Sequence, residues 1–227
     1  MSTKLFRPAH LALALSFIAL AFLPARAAHA QSLFMEKGES GFTAAGGVAA
    51  NGDGSAVSLG AGYSHEGIFD IGAILSRTSY DNTGWLNARS LGVRGYANLN
   101  LSLLGATVSY ERLFFSTDVP TFYDVHMSGW GMFVGAFAHL PLDFGKGFGA
   151  VPQATIGINH TSVSLEVPVY YYGIVASNND SSTSPLVRID GNFTIKDRSG
   201  RTWTVDPMVA LDKDDATFGL YVGGVFH

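Results

Sequence analysis

The sequence has no cysteine and few charged residues. Without cysteine the chain can form no disulfide, perform no thiol chemistry and carry no lipid on a cysteine. Charged residues make up 14% of the chain, well below the roughly 25% of soluble domains. Beyond residue 30 no apolar run approaches the roughly 18 residues of a membrane helix. These absences argue against a disulfide-stapled domain and against a helical membrane protein.

The apolar content is nevertheless high. Hydrophobic residues make up 47% of the chain, and they are interleaved with glycine, serine, threonine and asparagine. The 27 glycines would weaken a helical protein. A chain that is apolar overall but never continuously suits strands that face lipid on one side.

The first thirty residues have the three parts of a secretory signal peptide. Lys4 and Arg7 give a positive start, Leu11–Leu23 is a short apolar core, and Ala28–Ala30 is a small-residue cleavage site. An N-terminal anchor helix is the alternative, but the core is short for a membrane span. We therefore predict a signal peptide at 1–30 and one barrel domain at 31–227.

The mature chain is acidic. The signal contains three of the 14 basic residues and no acidic one, which leaves 11 basic against 18 acidic residues and a net charge of −7. A nucleic-acid partner would require a basic face, so we expect none.

Apolar and polar residues alternate with a period of two, which places them on opposite faces of strands. The clearest example is Val187, Ile189 and Phe193 against Arg188, Asp190 and Asn192. The outward, lipid-facing set is predicted to include Leu59, Ala61, Leu91, Val93, Val108, Ile156, Ile158, Ile189, Phe193, Leu220 and Val222.

Segments of this pattern predict an all-β fold, a single closed antiparallel transmembrane barrel of about ten strands, although eight or twelve also fit. The strands are expected near 40–50, 55–65, 68–79, 89–100, 104–115, 129–140, 150–160, 186–196, 202–211 and 216–226. Short connections at 65–67, 101–103, 141–147 and 197–201 are predicted on the periplasmic side. Loops at 81–88, 116–128 and 161–185 are predicted outside.

Two segments do not fit this scheme. Residues 163–171 alternate well although they lie in the predicted loop 161–185, so they either extend the seventh strand or form an extra strand. Pro207 lies within the ninth strand, where it cannot donate a backbone hydrogen bond, so a bulge is expected there.

The polar faces distinguish a membrane barrel from a soluble, lipocalin-like periplasmic binding barrel. A soluble barrel would present Lys, Glu and Asp on most strands. The polar faces here carry mostly Gly, Ser, Thr, Asn and Tyr. Such residues suit a narrow hydrated lumen and favour the membrane barrel.

A few charged residues occupy the polar positions of the alternation, which we call the polar phase. Arg94, Glu111, Arg188 and Asp190 are predicted to point into the lumen and to pair by opposite sign. Tyr96 and Tyr221 share that phase and are bulky enough to obstruct a thin lumen.

The last strand resembles the C-terminal signature of bacterial outer-membrane β-barrel proteins. Residues 218–226 alternate and end in the aromatic Phe226, which is followed by His227. This resemblance implies recognition by the barrel-assembly machinery through 218–226 and a location in the outer membrane of a Gram-negative bacterium. It also implies contact with outer-membrane lipid and lipopolysaccharide.

The remaining candidate sites are few. No metal-binding or phosphate-binding motif is present, and Asp212, Asp214 and Asp215 are interpreted as a solvated turn. No cofactor is expected. His160 and Ser162, with Glu166 beyond them, resemble the His-x-Ser of the outer-membrane lipid A deacylase barrels. That resemblance implies His160 as base, Ser162 as nucleophile and Glu166 as the orienting carboxylate.

The preferred interpretation is an integral outer-membrane, porin-like barrel with a structural, surface-interaction or narrow-channel role. The alternatives are a lipid A acyl hydrolase using His160 and Ser162, and the soluble periplasmic binder. An enzymatic role is not the preferred one.

The cleavage site gives a direct test. We expect mature protein extracted from membranes to begin at Gln31 or within a few residues of it, because Ala28–Ala30 has the small-x-small form. Intact-mass spectrometry measures this, and a chain that retains Met1 would contradict it.

Overall fold

The computed structural model describes residues 38–80, 88–117, 126–169, 174–198, 201–213 and 215–226. The expected signal peptide at 1–30 and its cleavage site lie outside these residues. Within them, no helix is long and apolar enough to cross a membrane.

Thirteen strands form one antiparallel sheet in the described part of the chain. They are β1 (Gly41–Asn51), β2 (Gly54–His65), β3 (Phe69–Tyr80), β4 (Ala88–Leu101), β5 (Leu104–Thr117), β6 (His126–His139), β7 (Leu142–Gly145), β8 (Phe148–Ala150), β9 (Gln153–Val169), β10 (Ile174–Asp190), β11 (Phe193–Lys196), β12 (Thr202–Leu211) and β13 (Ala216–Phe226).

Ten of these strands close into a barrel. The order around the ring is β1 to β6, then β9, β10, β12 and β13, and β13 returns to β1. The seam between first and last strand runs from Phe42 opposite Phe226 to Ala50 opposite Phe218. The ring therefore has no terminal strand. The prediction of a single closed antiparallel barrel of about ten strands is confirmed.

We call the end that carries the start of β1 and the end of β13 the lower end. Three short strands lengthen the wall there. β7 and β8 form a hairpin between β6 and β9, and β11 continues the line of β10 and pairs with β8 and β12. The prediction of a plain connection at 141–147 is therefore wrong, because Leu142–Gly145 is a strand.

The largest correction concerns the predicted loop 161–185. β9 continues to Val169 and β10 begins at Ile174, so the two strands rise together as a long hairpin. Val163 and Leu165 are buried on one face, as their alternation requires. Of the two interpretations of 163–171, extension of the seventh barrel strand is correct. The polar composition of 176–185 indicated a loop, but the strand pattern of this segment has polar residues on both faces.

The expected bulge at Pro207 is absent from β12, which pairs with β13 in unbroken register. The irregularity lies in the neighbouring strand. Gly191 and Asn192 separate β10 from β11 directly opposite Pro207, and Asn192 has a left-handed φ of 42°. The Gly191 N–H donates to the Pro207 carbonyl at 2.9 Å. Pro207 has no N–H to return, so the ladder is interrupted in its partner.

Gly191 also provides space for the proline ring. A Cβ added at this position would lie 2.8 Å from the Pro207 Cγ. Because Pro207 is exposed on the outward face, its ring can be exchanged for another apolar side chain without opening the interior.

We expect Gly191→Ala to lower the free energy of unfolding by about 1–3 kcal/mol through this overlap. In the Pro207→Val background, Gly191→Ala should lower the free energy of unfolding clearly less. The difference between the two backgrounds, which is the coupling energy, should be about 0.5 kcal/mol or more. Denaturant titration of refolded protein in detergent measures both. Equal costs in the two backgrounds would show that the contact is not the reason for glycine here.

Candidate functional site

The outward side of the wall is apolar on every strand of the ring. Leu59 on β2 is 65% exposed and Ile156 on β9 is 64% exposed, although both lie in regular strands. Each side chain that the alternation assigned outward is exposed: Leu59, Ala61, Leu91, Val93, Val108, Ile156, Ile158, Ile189, Phe193, Leu220 and Val222. An apolar surface that encircles the molecule is far larger than the patches that soluble monomers expose.

The interior has the opposite composition. Buried polar and charged side chains outnumber buried apolar ones among the described residues. They include Thr43, Ser58, Ser64, Ser76, Thr78, Ser90, Asn98, Thr107, Ser109, Thr155, Asn159, Thr161 and Thr204. A soluble binding barrel has the reverse arrangement, with its charged face in water and an apolar core. The polarity of this barrel therefore disfavours the lipocalin-like interpretation.

Arg94 and Glu111 lie directly opposite each other on β4 and β5. Both are buried, and the Arg94 guanidinium donates a hydrogen bond to the Glu111 carboxylate. The Ser76 hydroxyl on β3 donates to the same carboxylate at 3.3 Å. The pair therefore connects three adjacent strands across the interior, with the two charges neutralising each other out of bulk water.

Arg188 and Asp190 lie two residues apart on the inward face of β10. The Arg188 Nε donates to the Asp190 carboxylate at 2.7 Å, and a second guanidinium nitrogen donates to the same oxygen. Both side chains are buried. The four charges assigned to the lumen thus lie inside as two pairs of opposite sign, one on neighbouring strands and one along a single strand.

Sequence reasoning missed two further interior carboxylates. Asp206 on β12 accepts the backbone N–H groups of Gly191 and Asn192 at 3.1 and 3.2 Å. Asp70 on β3 is fully buried and accepts the Asn100 amide at 2.9 Å. Both lie on the inward phase of their strands, so the period-two count alone could have found them.

Bulky aromatic side chains also point into the lumen. Tyr221 is 2% exposed, and its ring lies against Gly47 of the neighbouring strand, where a Cβ would be 2.2 Å from the ring. Tyr96 on β4 reaches over Gly72 of β3 in the same way. Phe133 and Phe137 on β6 are also buried. The last two escaped prediction because both faces of β6 are apolar, which hides the alternation.

His160, Ser162 and Glu166 lie on the outward phase of β9. The His160 Nδ1 is 2.7 Å from the Thr183 hydroxyl oxygen on β10, and its ring centroid is 5.1 Å from that of Trp130 on β6. Among the described residues no hydrogen bond joins His160 to Ser162 or to Glu166. The structure thus brings the histidine to a threonine and a tryptophan rather than to the serine of a nucleophile–base pair.

The aspartates after β12 form a turn, as far as they are described. The Asp212 N–H donates to the Asp215 carbonyl at 3.0 Å, and the Ser184 hydroxyl donates to the Asp212 carboxylate at 3.0 Å. Asp214 lies outside the described residues. No group of three His, Asp or Glu side chains suited to a metal ion occurs in the described ranges.

Aromatic side chains concentrate near both ends of the outer wall. Near the upper end, the Tyr110 and Trp130 rings stack at 6.2 Å, and Trp130 contacts His160. Rings in contact near the lower end are Phe42 with Tyr63, Phe144 with Phe148, Phe148 with Phe193, and Trp203 with Phe226. Aromatic girdles at the two edges of an apolar band are typical of transmembrane barrels.

No known family matches the sequence, and no curated protein is recognisably similar to it. Among solved structures, the chain is similar to the translocator domain of the autotransporter NalP from Neisseria meningitidis. The TM-score is 0.55 at 12% identity, covering 97% of this chain and 96% of that domain. This likeness shows that the two chains share the fold of a closed antiparallel β-barrel.

Weaker likenesses are found to two further structures. The β domain of the Bordetella autotransporter BrkA gives a TM-score of 0.45 at 13% identity, covering 82% of this chain and 98% of that one. LpxR from Salmonella typhimurium gives 0.47 at 8% identity, covering 81% and 100%.

The ion pair between β4 and β5 generates a stability prediction. Glu111→Ala leaves the Arg94 charge buried without its partner and should cost about 3–5 kcal/mol. The double variant Arg94→Met, Glu111→Leu should recover most of that loss, because no unpaired charge remains. Equilibrium unfolding in detergent measures the free energy of unfolding of the wild type, the single variant and the double variant.

The matched control is Glu166→Ala, since Glu166 is an exposed carboxylate with no ion pair among the described residues. It should change stability by less than about 0.5 kcal/mol. If Glu111→Ala costs no more than this control, the interior pair does not contribute to stability.

Proposed function

We propose that the mature chain is an integral barrel of a Gram-negative outer membrane with a filled lumen. Its role is structural or surface-interacting rather than that of a general pore. The observation that carries the proposal is the inverted polarity of the wall, which is apolar outward on every strand of the ring and polar or charged inward. In the hydrocarbon of a bilayer, a closed ring of strands provides hydrogen-bond partners for its own backbone groups. An apolar outer surface is also most stable in contact with lipid.

The filled interior supports the absence of a general pore. Two ion pairs, two tyrosines and two phenylalanines occupy a ring of only ten strands. Side chains already fill the interior of eight-stranded barrels, and ten strands add little width.

The tall β9–β10 hairpin supports a surface role. β9 is 17 residues long, about 55 Å at a rise of 3.3 Å per residue, and strands of about ten residues suffice to cross a bilayer. Its outward residues turn polar from His160 onward. We infer that this part projects beyond the outer leaflet, where it is available to an external partner.

The C-terminal strand supports assembly of the barrel by the barrel-assembly machinery. β13 pairs with β1 at the seam, alternates along its length and ends in the outward-facing Phe226. We propose that 218–226 is the segment read by the barrel-assembly machinery. A cleaved signal at 1–30 and contact with outer-membrane lipid belong to the same proposal.

The membrane-facing wall is tested by two lysine substitutions on the same face of β10 at different heights. Ile189→Lys, at an outward position of β10 that is 55% exposed, should lower stability in lipid vesicles by about 2–4 kcal/mol. Asn179→Lys lies on the same face of the same strand but ten residues further up, and should cost less than about 0.5 kcal/mol. Equal costs would mean that Ile189 does not face hydrocarbon, and the protein should then also fail to fractionate with the outer membrane.

The filled lumen is tested by conductance. Purified, heat-modifiable monomer in a planar bilayer should conduct far less than a sixteen-stranded porin, or not at all, because side chains obstruct the interior. A stable large channel from the folded monomer would refute the proposed role.

A further inference from the structure

We propose that Arg77, Arg89 and Arg112 form a docking site for the phosphorylated glycolipid of the outer leaflet, lipid A. Their guanidinium groups would bind its phosphates, and its acyl chains would lie on the apolar wall beneath. This inference rests on the proposed membrane location. It adds a defined lipid partner and the strands that recognise it.

The three arginines lie on three consecutive strands and face outward. Arg77 is on β3, Arg89 on β4 and Arg112 on β5, and all three side chains are exposed. Elsewhere in the described part of the chain, the exposed lysine and arginine side chains lie in turns or at the lower end. The patch is therefore local, although the mature chain as a whole has a net charge of −7.

Two of the arginines lie at the same height on the wall. Arg77 is ten residues beyond Gly67 in the turn before β3, and Arg112 is nine residues beyond Leu103 in the turn before β5. At a rise of about 3.3 Å per residue and a tilt of roughly 40°, these positions lie about 23–25 Å above the lower turns. That is the height of the apolar band of a transmembrane barrel, so both guanidinium groups reach the level of the outer headgroups.

Arg89 lies higher. Arg77 pairs with Leu91 in the ladder, and Arg89 is two residues further up β4. The three charges thus form a triangle that spans two levels, which suits a headgroup with more than one anionic group better than a single phosphate.

Within the described ranges, no carboxylate forms an ion pair with any of the three arginines. The two ion pairs of the described residues are both inside the barrel, and none of the three arginines takes part in them. A guanidinium binds phosphate through two parallel hydrogen bonds, and it retains its charge at the edge of a membrane. An anionic lipid headgroup provides the missing countercharge at this position.

The wall beside and below the arginines suits acyl chains. Leu91 and Val93 on β4 lie opposite Arg77 and Arg112 in the ladder, and Leu75 lies two residues below Arg77 on β3. These three outward apolar side chains are 44–48% exposed. Tyr110 on β5 and Trp130 on β6 flank the patch with stacked rings. Cationic groups next to a continuous apolar surface suit an anionic amphiphile, which has both a charged headgroup and acyl chains. Free phosphate has no apolar part that could contact this surface.

The test uses the full mature barrel, refolded in a non-ionic detergent, and native mass spectrometry to count bound lipid. Wild-type protein is titrated with bisphosphorylated lipid A, with the same lipid after removal of its phosphates, and with inorganic phosphate. We expect the phosphorylated lipid to bind at least about tenfold more tightly than the dephosphorylated one, since charge-assisted hydrogen bonds are lost. Inorganic phosphate should give no retained adduct.

The patch variant is Arg77→Gln, Arg89→Gln, Arg112→Gln, and its charge-matched control is Lys146→Gln, Arg198→Gln, Arg201→Gln at the lower end. The control should bind phosphorylated lipid A like wild type. The patch variant should bind both forms of the lipid equally and weakly. Arg77→Lys, Arg89→Lys, Arg112→Lys retains the charge and should bind with intermediate strength, which provides a readout if the glutamine variant does not fold.

Heat-modifiable migration and outer-membrane fractionation of each variant report separately on the proposed function. A folded patch variant that binds phosphorylated lipid A as wild type does would overturn the docking site alone. So would wild-type protein that does not distinguish the two lipids. Protein that never forms a heat-modifiable barrel overturns the proposed function and the docking site together.

Discussion

The structure depends on one constraint, which is that the backbone N–H and C=O groups of the apolar part of the wall need partners within the protein. A sheet meets this constraint only when its last strand pairs with its first, as β13 does with β1 along nine residue pairs. Closure at ten strands fixes a narrow interior. That width in turn requires glycine beside the large rings of Tyr96 and Tyr221, and a countercharge or a hydrogen-bond donor beside each buried carboxylate.

The interior meets this requirement in two ways. Arg94 and Glu111 pair across two strands, whereas Arg188 and Asp190 use the two-residue repeat of a single strand. Asp206 accepts hydrogen bonds from the backbone N–H groups of Gly191 and Asn192, so an interior carboxylate satisfies donors where the ladder is interrupted opposite Pro207. The irregularity in the ladder and the polar interior are thus connected through the side chain of Asp206.

Much of the fold could be predicted because a half-apolar strand repeats every two residues. This period predicted about ten barrel strands, with eight or twelve also possible, and the face of each assigned residue. It failed where composition and phase disagree. Residues 176–185 are polar yet form a strand, and Phe133 and Phe137 are apolar yet point inward. The partners of His160 could not be predicted, since Thr183 and Trp130 reach it only through the register of β10 and β6.

The length of β10 has a consequence for how neighbouring molecules meet. β12 pairs with β10 only as far up as Val187, so in the described part of the chain the residues of β10 above it have a ladder partner on one side only. An unpaired strand margin invites a second chain to add to it. Pro185 and Asp180 lie on this margin, and an imino acid and a charge are the residue types that discourage such addition. Crowded barrels can therefore lie side by side without their tall hairpins joining into a shared sheet.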